Sequence, residues 1–406
     1  MFRGASAESI PQTVCVPAKD ESLQMTYQAT ALNDLQLTPL SRTATENGYA
    51  TAILSSRLAI QNLRQAARQL MPHYDPMLDP QFFVTSLKKE WTPRVIVIKR
   101  GADLVGIVYA KERTGCGVPI GILGIDNTLN TSLVSREVNH QQILSFAAET
   151  LLRRRRTWSV QLKLPSGVPE VSAFTGLLSS PSIDVQFSSS NAHHAHFPLP
   201  STYDEFLNRL GSTSRRNFRY YRRRFESDGH RYVTDIPMNV LRSAAFDLKK
   251  KCGLPLRTEG LQRLLNMVAT TDTPLAVGLQ QANGEWLSVA AGCYRPGQAV
   301  LFFQVNSDQH FTRSSLSVVL RGYLIQTLIE AGCPEFVFWG GTVPPLSRYA
   351  THPAITDVHL DKRVYGWRAV RFLSRMVGPS LPKQFRAYAR RIAPSRLRPE
   401  SPDCAG

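Results

Sequence analysis

Residues 275–341 read LAVGLQQANGEWLSVAAGCYRPGQAVLFFQVNSDQHFTRSSLSVVLRGYLIQTLIEAGCPEFVFWGG, and this stretch decides the fold. Leu275 to Gln281 reads as a strand, and Ala282-Asn283-Gly284 carries Asn-Gly turn chemistry. Glu285 to Tyr294 is a second strand, and Arg295-Pro296-Gly297-Gln298 a second turn. Ala299 to Asn306 (AVLFFQVN) is a third strand, rich in aromatic and β-branched residues. Leu316, Val319, Leu320, Tyr323, Leu324, Thr327 and Leu328 then recur at helical spacing, which predicts a helix over Ser315 to Ala331. Gly332 stops it, with Pro334 just beyond, and Glu335 to Gly341 is a buried strand.

The order is strand, strand, strand, helix, strand. Its informative junction is the passage from the third strand through 307–313 into the helix. A helix N-terminus carries free N–H groups and a partial positive charge, so it is a ready place for a phosphate. Arg313 stands just before that start and adds a full charge. An ordinary α/β core with a capped helix would show the same junction, so these residues alone fit both readings.

The segment Asp308 to Leu320 resembles the D-P-x-Y-x-x-x-S-P-G-x-x-L segment of the acetyltransferase-like family related to the cellulose-biosynthesis CelD proteins. That family belongs to the GNAT acyltransferases and is distantly similar to the FemABX aminoacyltransferases. Asp308, Ser315 and Leu320 keep the spacing; Gln309, Phe311, Leu316 and Ser317 replace the family's Pro, Tyr, Pro and Gly. A similar R-x-N-x-R-x-x-R element, after a Tyr/Phe-rich helix, matches Arg215, Asn217, Arg219 and Arg222. The family's Lys-x-x-aromatic element falls near Arg348 and Tyr349, and Phe338 and Trp339 stand where its preceding strand carries an acidic residue.

Length and composition set the frame. The 406 residues suit two domains of about 150 residues each. An apolar fraction of 43% supports real cores. No apolar run reaches the ~18 residues of a membrane span. The start, MFRGASAESIPQ, lacks the apolar centre of a signal peptide, so a cytoplasmic protein is the expectation. The six cysteines are scattered without C-x-x-C spacing, which disfavours a metal or disulfide framework. The net charge of +17 favours anionic partners: nucleic acid, an acidic membrane surface or phosphorylated ligands.

The first half foreshadows the second. Ala52 to Leu70 reads as an amphipathic helix ended by Pro72, and Asp79-Pro80 opens another through Leu87. Arg94 to Lys99, Leu104 to Ala110 and Ile120 to Ile125 are strands, Glu137 to Leu152 a helix and Trp158 to Leu164 a strand. Val240 to Lys251 and Glu259 to Ala269 are helices that precede the stretch quoted above. A repeated order over a long period suggests duplicated modules; two α/β patterns alike by chance are the alternative. The resemblance implies an α/β (α+β type) fold of tandem GNAT-like acyltransferase modules with mixed central sheets flanked by helices. The divisions are an irregular leader over 1–50 with an edge strand within Leu23 to Leu40, modules over 51–198 and 199–363, and a basic amphipathic tail over 364–406.

Asn191 to Pro200 (NAHHAHFPLP) joins the modules; its histidines suit no zinc spacing, and a solvated linker-end strand is the expectation. In the arginine-rich segment after Ser214, a candidate cap, Phe218, Tyr221 and Phe225 should face a core and Arg215, Arg219, Arg222 and Arg223 another face. That face is a solvated surface, a phosphate clamp or, last in rank, a nucleic-acid contact. Arg153 to Arg156 complements a helix C-terminus. Residues 364–398 alternate arginines with Trp367, Phe372, Leu373 and Phe385, which fits docking on an anionic membrane or packing of a tail on the second module.

The function the resemblance implies is acyl transfer from acyl-CoA, or from an acyl carrier protein, to an amine or hydroxyl of a small molecule or saccharide, in cell-envelope or exopolysaccharide synthesis. Acyl-CoA is then a co-substrate; no resident cofactor and no metal is expected. Donor contacts would come from Val305 and Asn306 and from Arg313, Ser314, Ser315, Leu316, Ser317 and Val318. Candidate proton-transfer groups are Glu285, Asp308, His310 and Tyr349, none at a diagnostic spacing. The alternatives are a FemABX-like transferase using aminoacyl-tRNA, the one setting in which nucleic acid is expected, and a non-catalytic GNAT-like scaffold in a polysaccharide-synthesis assembly.

Overall fold

Alternation along the strands decides where the cores lie. The computed structural model describes residues 38–39, 48–115, 117–129, 131–135, 138–166, 180–251, 257–307, 315–342 and 346–363. On β3 (Trp91–Arg100), Val95 and Val97 join one core while Ile96 and Ile98 join another, as the period of two requires. The first sheet runs β1-β2-β3-β4-β5-β7-β15-β8. Its strands are β1 (Thr38–Pro39), β2 (Tyr49–Leu54), β3, β4 (Asp103–Gly115), β5 (Val118–Asp126), β7 (Ser159–Pro165), β15 (Ala354–Lys362) and β8 (Ile183–Asn191), with β6 (Leu133–Val134) pairing β4. Among the described residues only β5 and β7 are parallel neighbours there. Helices α1 (Arg57–Gln61), α2 (Arg64–Leu70) and α3 (Pro80–Ser86) cover one face through Ile60, Leu63, Ala67 and Val84. Helix α4 (His140–Arg153) covers the other with Ile143, Leu144, Ala147 and Leu151.

The second sheet runs β10 (Arg231–Val233), β11 (Pro274–Gln280), β12 (Trp286–Arg295), β13 (Gln298–Asn306), β14 (Glu335–Phe338) and β9 (Ala195–Pro198). One face carries α5 (Tyr203–Arg209), α6 (Ser212–Ser227) and α9 (Leu316–Glu330), which bury Phe206, Phe218, Phe225, Leu320 and Leu324. The other carries α7 (Met238–Lys251) and α8 (Thr258–Ala269), with Leu241, Leu248, Leu261 and Leu265. The protein is thus a mixed α/β molecule with two mixed sheets flanked by helices, and the run strand, strand, strand, helix, strand occurs in each. Gly332, at φ 69°, ends α9 with N–H bonds from Gly332 to Ile329 and from Cys333 to Leu328, the expected glycine stop.

Several expectations need correction. The helix expected over 52–70 is β2 followed by two short helices: Ala52, Ile53 and Leu54 pair with Val97, Ile96 and Val95. Ladder bonds to β3 override a helical spacing that the same residues also satisfy. The expected linker-end strand is present as Ala195–Pro198, but it is solvated only in part: it pairs with β14, Ala195 and Phe197 are buried, and Pro198 is exposed. Gly211, not Ser214, stands at the N-cap of α6. Arg154, read as a dipole partner, instead reaches the buried carboxylate of Glu112 at 3.1 Å, which also holds Arg94 at 2.6 Å. The edge strand expected within 23–40 is described only at Thr38–Pro39, and the tail over 364–406 lies outside the described residues.

Strand β15 was not anticipated. The chain leaves the second sheet and re-enters the first, pairing antiparallel with β7 on one side and β8 on the other. Asp357, buried in this strand, accepts from Ser190 Oγ at 2.6 Å.

The two halves also share a core. Met77, Phe82 and Leu129 pack with residues of the second sheet, and the Phe82 and Phe302 rings lie 5.7 Å apart. Arg295 donates to Asp75 at 2.6 Å and to the Leu129 carbonyl at 3.0 Å. Asp272 meets Arg64 at 3.2 Å and also Arg68. Buried apolar contact with charged clamps at its rim fixes how one half sits on the other.

Candidate functional site

The parallel pair β13–β14 does not stay paired. Residues 298–301 match 335–338, and Trp339 N donates to Leu301 O at 3.0 Å. Beyond that point, among the described residues, 302–306 of β13 have a strand partner only on the β12 side. A bulge marks the parting: Ala291 pairs with Phe303 and Gly292 with Leu301, so Phe302 is the extra residue. Phe302 and Phe303 consequently face the same core. Gly292 is needed there, because a Cβ would lie 1.7 Å from Val300 O. Trp339 turns away after β14 and meets Phe302 edge-on at 5.5 Å.

Arg321 of α9 spans this opening. Its Nε donates to Gln304 Oε1 at 3.1 Å and its Nη1 to Thr342 Oγ1 at 3.3 Å, with the guanidinium 5.4 Å from the Phe338 ring. Gln304 in turn donates to Asn306 Oδ1 at 2.9 Å, which also accepts from Ser288 Oγ at 2.6 Å. Burial lowers the Arg321 pKa to about 10, and no ion-pair partner is found for it among the described residues. It was not singled out from the sequence, although a lone cation inside the apolar run LSVVLRGYLIQTLIE was a visible signal.

The expected donor residues gather at this place in part. Val305 is buried in the core, so only its backbone is available to a ligand, whereas the Asn306 side chain belongs to the polar chain just described. Ser315, at φ 40° in the left-handed region, precedes α9, and its carbonyl accepts from Val318 N and Val319 N at 2.8 and 3.2 Å. Leu316 is fully buried, so core packing accounts for an apolar side chain there; Ser317 and Val318 are half-buried. Asp308, His310, Arg313 and Ser314 lie outside the described residues. Glu285 sits in the turn before β12, its N–H on Asn283 Oδ1 at 3.0 Å, and lines a shallow depression with Asn239, Ser243 and Asp247 of α7. Tyr349 follows a short 3-10 turn, Leu346–Arg348, and its hydroxyl accepts from Gly211 N at 2.7 Å, tying that turn to the start of α6. No described contact joins Glu285 to Tyr349.

A second concavity lies between the two halves. It is a cleft of about 520 Å³ lined by Lys88, Lys111, Lys163, Arg263, Trp91 and Trp339, among others. Lys111 lies 5.3 Å from the Trp91 ring. Burial lowers its pKa most; Asp126 opposes the shift, and Lys163, Lys88 and Arg263 add to it. Arg263 donates to Ser86 O at 2.8 Å, and Lys163 stands 4.0 Å from Asp357. These cations come from the α3–β3 link, β4, β7 and α8, so no local spacing in the sequence brings them together. His194 also lines the cleft: it is 6% exposed, its Nε2 is buried without a hydrogen-bond partner, and its ring lies 4.9 Å from His196. Burial first, then His196, lowers the His194 pKa to about 4. His196 instead meets Glu335 at 2.9 Å.

On α6 the aromatic residues divide as expected: Phe218 and Phe225 are buried, Tyr221 is half-buried and Tyr220 is exposed. Arg222 lies 4.2 Å from the Tyr323 ring and 3.0 Å from Glu226, while Arg216, Arg219 and Arg223 are exposed.

No family model and no curated protein matches the chain. Solved structures do. FemX has a TM-score of 0.53 at 11% identity, covering 72% of this chain and 95% of its own. A conserved protein of unknown function from Bacteroides thetaiotaomicron VPI-5482 has a TM-score of 0.50 at 10% identity, covering 81% and 100%. A tandem GNAT protein from the clavulanic acid biosynthesis pathway has a TM-score of 0.39 at 13% identity, covering 77% and 98%; nothing further rests on that weaker likeness. At such identities the likeness concerns the fold alone: two mixed α/β halves arranged as in FemX.

Proposed function

We propose that this chain transfers an acyl group from a thioester, acyl-CoA or an acyl carrier protein, to an amine or hydroxyl of a small molecule or saccharide, in the manner of the CelD-like acetyltransferases. The observation that carries this reading is the parting of β13 from β14 beside the start of α9. An unpaired strand edge next to a helix N-terminus offers N–H groups to a carbonyl and to a pyrophosphate from one side. In the proposed step the acceptor nitrogen or oxygen attacks the thioester carbonyl carbon, and the carbon–sulfur bond breaks as the carbonyl re-forms. The thiolate takes up a proton and the acceptor loses one. Backbone N–H groups of 302–306 and the Arg321 guanidinium would face the developing oxyanion, and the two substrates would be held in reach of each other. Glu285, Asp308, His310 and Tyr349 remain the candidates for the proton.

Calorimetric titration of acetyl-CoA and longer acyl-CoAs against the folded chain tests this reading. Binding is expected, with Arg313→Ala weakening it by roughly 1–3 kcal/mol and Ser317→Gly retaining or tightening it. A folded protein that binds none of these thioesters would sink the proposal.

The exposed Arg216, Arg219 and Arg223 beside Tyr220 favour a second reading, an aminoacyl-tRNA donor gripped along α6. Stimulation by charged tRNA, without binding of acyl-CoA, would select it. The occupation of the opening by Arg321 favours a third, a non-catalytic scaffold. Among the described residues no helix is long and apolar enough to cross a membrane.

A further inference from the structure

We propose that the cleft between the two modules is where the acceptor binds, and that it selects an acceptor bearing a phosphate group. The word acceptor rests on the acyl-transfer reading; the anion site does not. Four cations, three on separate elements and one in a link, line one concavity: Lys111 on β4, Lys163 on β7, Arg263 on α8 and Lys88 between α3 and β3. Like charges gathered around a partly buried point oppose one another, and an anion between them relieves that repulsion.

Carboxylates offset these cations only in part: Asp126, which lines the cleft and accepts from Thr128 Oγ1 at 2.8 Å, acts on Lys111, Glu90 acts on Arg263, and Asp357, which accepts from Ser190 Oγ, lies 4.0 Å from Lys163. No ion pair is found for Lys88, Lys111 or Arg263 among the described residues. A carboxylate ligand brings one charge and two oxygens. A phosphate monoester brings a charge of about −1.5 to −2 and three acceptor oxygens, so it can serve several donors at once. The Trp91 and Trp339 rings supply apolar wall for the rest of the ligand, and the cleft's volume of about 520 Å³ lies in the range of small-molecule sites. The Arg295–Asp75 and Arg263–Ser86 contacts across the interface hold the walls in place before any ligand arrives.

Pyridoxal 5′-phosphate, fixed by borohydride reduction, is a probe for an amine beside a phosphate site. Applied to the full chain and mapped by peptide mass, it should label Lys111 or Lys163 at least tenfold above the exposed Lys250, and excess pyrophosphate should suppress that label. Lys163→Met and Lys88→Met should each weaken pyrophosphate binding about tenfold, the scale of one charge-assisted contact, in protein whose melting is unchanged; Lys250→Met should not.

Label spread evenly over the lysines, or pyrophosphate affinity indifferent to both cleft variants, overturns the proposal. Protection by coenzyme A equal to that by pyrophosphate would place the donor in the cleft and overturn its assignment to the acceptor. Phosphatidylglycerol vesicles separate the sources of the phosphate: protection by vesicles supports a lipid headgroup, and protection by soluble pyrophosphate alone supports a soluble ester. Pyrophosphate binding that survives while no acyl-CoA binds would defeat the acyl-transfer reading and leave the anion site standing.

Discussion

The parallel strand pair of the first module is closed and that of the second is open. β5 and β7 stay in register to Asp126 and Lys163, and Asn127 N extends the ladder onto Lys163 O at 2.9 Å. β13 and β14 keep four matched pairs and then diverge around Phe302, Trp339 and Arg321. One order of elements therefore serves two ends. The closed pair presents Lys163 and Asp126 to the cleft between the halves, and in the open pair residues 302–306 have no described strand partner on the β14 side, beside a helix start. Both β4–β5 and β12–β13 carry a register shift, so what differs is where the bulge falls, a turning tryptophan and one buried cation rather than the sequence of helices and strands.

The largest effect is expected where the opening begins. Gly292→Ala drives a Cβ against the Val300 carbonyl, and unfolding in urea should show a loss of roughly 4 kcal/mol. A loss under 1 kcal/mol would mean that the bulge is not what parts the strands.

A second test concerns the histidine at the cleft. With His194 lowered from 6.5 to about 4, the unfolded chain binds a proton in that window that the folded chain does not. Stability should therefore fall as pH drops from 6.5 to 4, by on the order of 3 kcal/mol. The groups that act on His194 are His196, His352, Asp126 and Glu335. His140 is also lowered by burial, so the His194 share is what His194→Gln removes from the pH dependence of melting. An unaltered slope in that variant would refute the assignment.

Arg321→Met should weaken coenzyme A binding about tenfold, read by calorimetry. Its stability should change little, since lost hydrogen bonds to Gln304 and Thr342 are offset by removal of a buried charge. Unchanged affinity would detach the opening from donor binding. The smallest effect should come from the closed module: at Gly124 a Cβ would meet only Lys111 Cε at 3.8 Å, so Gly124→Ala should stay within about 0.5 kcal/mol in the same urea experiment.

Most of the strands were legible because their side chains alternate between two cores, as Val95, Ile96, Val97 and Ile98 do. The segment 52–70 misled because Ile53, Leu54, Leu58 and Leu63 satisfy a helical spacing, whereas pairing with β3 is a non-local fact. β15 escaped notice because Asp357, His359 and Asp361 interrupt its apolar positions, and what makes Asp357 tolerable inside, Ser190, lies 167 residues away. The helix-start residues could be named from a motif, being contiguous. The cleft could not: Lys111, Lys163 and Arg263 converge only after both modules have folded.

The returning strand also sets an order in time. Gln161 and Asp357 meet across 196 residues of chain, so the sheet whose strands are made first cannot be completed until residues 354–362 have left the ribosome. A chain emerging from its N-terminus usually folds its domains in that sequence. Here the second module, whose strands all fall between 195 and 338, can close while β7 and β8 still wait for the strand that belongs between them. During that interval two strand edges stand unpaired, a template for the same segment of another molecule. A released chain that ends before residue 354 should therefore resist protease over the second module and be cut in the first.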